Sequence, residues 1–114
     1  MDVSGAFRVH LRMEIRPDME SEFESTWLDV GRGIAEEPAN LGQVLVQSVD
    51  EPGVYYVYTD WVDETAFRAF ELSEAHVENR RRLQPYRTGG DMVVTRIVHQ
   101  LGGQPRPAEG AAWT

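Results

Sequence analysis

The segment from Val54 to Val62 is apolar or aromatic on both sides of an alternating pattern, and this constrains the fold more tightly than any other part of the chain. Read as a strand, it sets Tyr55, Val57, Thr59 and Trp61 on one face and Val54, Tyr56, Tyr58 and Val62 on the other. A strand with one solvated face would carry polar residues there. Both faces therefore call for cover, one from the chain's own helices and the other from a partner. At 114 residues the chain is one domain. A chain of that size buries about 65% of its unfolded surface, which suffices for one core but not for a deep private cavity. A homodimer packed sheet to sheet is the simplest cover for the second face.

The rest of the pattern supplies the partners of this strand. Phe7, Val9, Leu11, Met13 and Ile15 alternate with Arg8, His10, Arg12 and Glu14, which reads as a first strand. Pro17 suits the first turn of a helix, and Asp18, Glu20 and Glu22 complement its positive end. Met19, Phe23, Trp27, Val30 and Ile34 then recur at helical spacing up to the glutamates before Pro38. Gly42 to Val49 reads as a second strand, joined to the aromatic one by a turn at Glu51-Pro52-Gly53. Asp63 is placed to cap a helix carrying Phe67 and Phe70, and Ser73 a second piece running to Leu83. Pro85 stops it, Gly89-Gly90 reads as a loop, and Met92 to Leu101 alternates as a fourth strand. The order βαββαβ is ferredoxin-like, an α+β arrangement of one antiparallel sheet with two helices on one face. Residues 1–101 form this domain, and 102–114 read as a flexible tail rich in Gly, Pro and Ala, with Trp113 able to dock on a neighbour.

Composition excludes several functions. The formal charge of −8 argues against nucleic acid and anionic membranes as partners. The chain has no cysteine, which removes disulfides, thiolate metal sites and thiol nucleophiles and agrees with a reducing cytoplasm. No apolar run reaches a membrane span, and the start Met1-Asp2 lacks the basic residues of a signal peptide. All eleven basic residues are arginine, so lysine chemistry is impossible. His10, His76 and His99 are dispersed, with no metal-ligand spacing, and Gly31-Arg32-Gly33 lies inside a helical pattern where it cannot form a dinucleotide turn.

What remains is the aromatic stretch itself. Trp61 ends its strand, Phe67 and Phe70 open the following helix, and His76 lies on a helical stripe with Leu72, Ser73 and Arg80. Such a wall can stack on a planar ligand and hold a titratable imidazole beside it. It can equally be a plain packing contact between sheet and helix. The run Arg80-Arg81-Arg82 reads as a solvated face from which one member can turn inward toward an anionic oxygen.

A strand ending in Trp61, an acidic helix start, the pair Phe67 and Phe70, and Ser73-Glu74-Ala75-His76 within βαββαβ together resemble the antibiotic biosynthesis monooxygenase family, over about residues 6–101. The resemblance implies a dimeric α+β barrel that oxygenates an electron-rich aromatic small molecule without a cofactor, with molecular oxygen as co-substrate. Read together, the residues and the resemblance make Trp61, His76 and Arg81 the expected catalytic residues, and Tyr55, Val57, Phe67 and Phe70 the expected substrate-binding ones. Trp61 matches the family's tryptophan at the end of its third strand, and Arg81 falls near its helix arginine. The family's polyketide oxygenases carry an asparagine four residues before that tryptophan, where this chain has Val57. Its heme-degrading branch needs an asparagine on the first strand and a tryptophan where this chain has Phe70, so heme is disfavoured. A cyclase or tautomerase using the same pocket, and a non-catalytic binding module, are the alternatives.

Overall fold

The computed structural model describes residues 5–102. The expected tail lies outside them except for Gly102, as do Trp113 and the N-terminal Met1 and Asp2. The elements are β1 (Phe7–Ile15), α1 (Glu20–Ala35), β2 (Asn40–Gln47), β3 (Val54–Trp61), α2 (Glu64–Glu71), α3 (Glu74–Leu83), a 3₁₀ turn (Gln84–Tyr86) and β4 (Arg87–Arg96). The strands form one antiparallel sheet in the order β2-β3-β1-β4. This is the ferredoxin-like arrangement, with the second helical layer split in two. No helix among the described residues is long and apolar enough to cross a membrane.

The sheet's inner face is the one the alternation assigns. β1 and β3 pair in register with Val9 opposite Thr59, Leu11 opposite Val57 and Met13 opposite Tyr55. Those inward positions are buried or nearly so, and α1 closes over them with Phe23, Val30 and Ile34. Gly31 is what lets α1 lie close to β2. A Cβ there would stand 3.3 Å from Gln43 Nε2 and 3.4 Å from the Trp27 ring, and that amide nitrogen donates to the Gly31 carbonyl.

The break between α2 and α3 has a chemical cause at each end. Asp63 accepts a hydrogen bond from the Ala66 N–H and starts α2, and the Ser73 hydroxyl accepts from the His76 N–H and starts α3. The same Ser73 hydroxyl donates to the Phe70 carbonyl, tying the end of α2 to the start of α3.

Three boundaries differ from the expectations. Pro17 stands ahead of α1, because Asp18 takes a positive φ of 67° and turns the chain before Glu20 begins the helix. β2 begins and ends two residues early, since Asn40 already pairs with Trp61 and the turn takes up Ser48 onward. The largest difference is β4, which occupies 87–96 instead of 92–101. Gly89-Gly90 is strand, not loop, and pairs with Glu14 and Met13. The register slips between Glu14 and Ile15, so Ile15 faces Arg87 and Thr88 is the extra residue of a bulge. Gly90 accepts this at a φ of 149°, where a Cβ would lie 2.1 Å from the Arg12 carbonyl oxygen.

Candidate functional site

The inner face of the sheet does not pack solidly against the helices. Between them lies a cavity of about 130 Å³, lined from the strands by Leu11, Met13, Val57, Thr59, Trp61, Arg87 and Met92 and from the helices by Trp27, Phe67, Phe70, Glu71, His76, Arg80 and Leu83, among others. A single chain thus encloses a pocket after all, large enough to take in one aromatic ring. Met92 faces inward yet is 42% exposed, because no helix among the described residues covers the β4 edge of the sheet.

One wall is a continuous series of rings. Trp61 lies 4.8 Å from Phe70 between centroids, and Phe70 lies 4.5 Å from the imidazole of His76. Phe67 leans on Trp61 at 5.8 Å and on Phe7 at 5.6 Å, which fixes the series to β1. Trp61 is buried, and its indole N–H donates to the Thr59 hydroxyl at 2.6 Å. That donor is committed, so toward a ligand Trp61 offers a face. The Thr59 hydroxyl, having accepted from the indole, keeps its own proton free to donate.

His76 is the titratable group of this wall. Burial, and the Arg80 cation next to it, lower its pKa from 6.5 to about 4, with Glu71 opposing weakly. The ring is therefore neutral at pH 7. Its Nδ1 is buried and has no hydrogen-bond partner among the described residues. Glu71 is held by Arg68, its carboxylate accepting from the guanidinium at 3.2 Å, while Arg80 donates to the Glu71 carbonyl at 3.2 Å.

Of the residues expected at the site, Trp61, Val57, Phe67, Phe70 and His76 come together around the cavity. Two do not. Arg81 points to solvent with its side chain 73% exposed and forks onto Glu78, one turn back on the outer surface of α3. One residue per 100° places Arg80, four after His76, on the cavity side and Arg81 off it. Tyr55 is buried on the inner face but lies outside the cavity lining, its hydroxyl donating to Glu24, with its pKa raised by burial and that carboxylate. His10 and Arg12 face the other side of the sheet, His10 edge-on to Tyr58 and Arg12 paired with Glu14 and Glu51. Sequence reasoning missed Trp27, Thr59 and Arg87 as lining residues. Trp27 was legible on the α1 stripe and Thr59 on the β3 alternation, whereas nothing in the pattern pointed to Arg87.

Comparison with known proteins agrees with this fold. The family described as antibiotic biosynthesis monooxygenase matches residues 6–82. Protein SchA of Streptomyces halstedii is 27% identical over 105 residues, which cover 92% of this chain and 27% of SchA, so the chain spans about a quarter of that relative's length. Among solved structures, the chain is similar to SnoaB, a cofactor-independent oxygenase from Streptomyces nogalater, at a TM-score of 0.77 and 18% identity over 88% of this chain and 100% of SnoaB. It is also similar to a conserved protein from Methanosarcina mazei Go1, at a TM-score of 0.76 and 17% identity over 83% of this chain and 95% of that one. At these identities the structural likeness concerns the fold. With the family pattern matched from the start of β1 nearly to the end of α3, the chain belongs to the antibiotic biosynthesis monooxygenase family.

Proposed function

We propose that this protein is a cofactor-independent monooxygenase acting on a planar, electron-rich aromatic small molecule of the anthrone type. The observation that carries the reading is His76, a neutral imidazole whose buried Nδ1 has no partner among the described residues, set at the end of a ring stack that walls an apolar cavity. A substrate ring lies against Trp61 and Phe70, and its acidic CH₂ group meets the imidazole. His76 takes one proton, and the enolate that forms is stabilised by Arg80, by the Thr59 hydroxyl and by the exclusion of water. The enolate passes one electron to O₂. The resulting radical and superoxide join through a new C–O bond as a peroxide. Loss of water from that peroxide leaves a carbonyl, so that CH₂ and O₂ become C=O and H₂O. The charge of the enolate raises the basicity of the imidazole as the proton moves, which offsets its low resting pKa.

The outer face of the sheet supports a homodimer as the working unit. Val44 and Val93 stand 47% and 55% exposed there, beside Val46, Tyr56 and Tyr58, and this apolar surface fits the same face of a second copy.

One observation favours a second reading. Val57 lines the cavity where the family's polyketide oxygenases carry a polar residue, so the peroxide has no amide beside it. Proton transfer or cyclisation in the same cavity, without oxygen, needs none. Anthrone with metal-stripped protein separates the two. The monooxygenase consumes one O₂ per quinone formed, and His76→Gln lowers kcat by about a hundredfold or more. Quinone formation no faster than the uncatalysed rate sinks the oxygenase reading, and turnover under nitrogen establishes the second.

A further inference from the structure

We propose that Arg87 is an anion-binding residue of the cavity, and that the substrate is an aromatic acid whose carboxylate seats on it. This rests on reading the cavity as a substrate pocket and adds what that substrate must carry.

The bulge in β4 is what brings the arginine in. Val94, Met92 and Gly90 pair with the inward residues Val9, Leu11 and Met13, so strict alternation would next turn Thr88 inward. The slipped register sets Arg87 opposite the inward Ile15 instead. Two hydrogen bonds hold the bulge, from the Thr88 hydroxyl to the Glu14 carbonyl and from the Arg16 N–H to the Tyr86 carbonyl. Gly90 then completes the arrangement. A Cβ on it would lie 2.8 Å from Arg87 Nη2, so the guanidinium occupies space that any other residue at 90 would fill.

The guanidinium so placed has no counter-charge among the described residues. Its Nε is a buried donor with no hydrogen-bond partner, and it forms no ion pair among the described residues. Elsewhere arginines meet acids: Arg8 with Asp60, Arg12 with Glu14 and Glu51, Arg82 with Asp29. Among the described residues no acidic side chain pairs with Arg87. The other charged lining groups do not neutralise it. Arg80 is a second cation, Glu71 is engaged by Arg68, and His76 is neutral. A buried guanidinium donor without an acceptor is unfavourable, and an entering carboxylate supplies two oxygens in the geometry of its fork. The rest of the nearby lining is apolar, Met13, Met92 and Leu11, which suits the ring that bears the carboxylate.

Equilibrium dialysis under nitrogen with 2-naphthoate and its methyl ester tests this without any turnover. Wild-type protein is expected to bind the acid at least about tenfold more tightly than the ester. Arg87→Gln should lose that preference while binding the ester as before, which also reports that the cavity is intact, and Arg87→Lys should keep part of it. Wild type that binds both equally or neither, or an Arg87→Gln protein that keeps the preference, overturns the proposal. Failure to oxidise anthrone with the preference intact overturns the oxygenase reading alone.

Discussion

His76 sits in the cavity wall as a neutral ring, and its protonation links the site to stability. The folded protein holds its pKa at about 4, against an ordinary 6.5. Between those values the unfolded chain binds the proton and the folded one does not, so stability falls as pH drops through that window and is unaffected by this group above it. Allowing for the ring's partial exposure, the loss is on the order of 1–2 kcal/mol. Urea midpoints at pH 7 and pH 4.5 should therefore lie further apart for wild type than for His76→Phe; equal separations would show that the imidazole is not kept neutral. The neighbouring arginines teach a related lesson. Resemblance to the family pointed to Arg81, whereas the helical period from His76 pointed to Arg80, and the structure follows the period. Side-chain direction on a helix is set by 100° per residue, and an offset of one turns a cavity residue into a solvent residue.

At the scale of elements, the fold is built from local signals that agree with one another, except in β4. The caps at Asp63 and Ser73 and the alternation in β1 and β3 read correctly because each depends on neighbours in the chain. The register of β4 depends on Glu14 and Ile15, more than seventy residues away, and on a conformation that only glycine accepts. Gly89-Gly90 therefore looks like a loop and is a bulged strand. Replacing Gly90 by Ala should lower stability by about 2–4 kcal/mol, because the added methyl meets backbone that cannot move aside cheaply and φ is positive. Gly33→Ala is the control. It is a helical position with open space around it, and there the same change should stabilise by about 0.5–1 kcal/mol. Urea denaturation of both variants measures the contrast, and a tolerated Gly90→Ala would mean that the bulge relaxes.

At the scale of the whole molecule, the sheet has one face under helices and one apolar face that no other described residues cover. Bidentate Arg8–Asp60 contacts at 2.7 and 2.8 Å and the Arg12 cluster frame that outer face with paired charges, while Tyr56, Tyr58 and the valines fill its middle. If two copies meet there, Tyr58→Glu buries an unpaired carboxylate at the seam and should convert a dimer into a monomer by light scattering. Wild type that is already monomeric would end that reading. The sequence by itself determined the βαββαβ order, the inward set of β1 and β3, and the ring wall of Trp61, Phe67 and Phe70, because alternation, helical period and capping are properties of adjacent residues. Only the tertiary structure decided that these rings border an open cavity, that Tyr55 is tied to Glu24 outside it, and that Arg87, unpaired among the described residues, is turned in by a distant register slip. Those outcomes depend on how far apart the packed layers settle and which strand register they lock, and neither quantity is written in any local stretch of the chain.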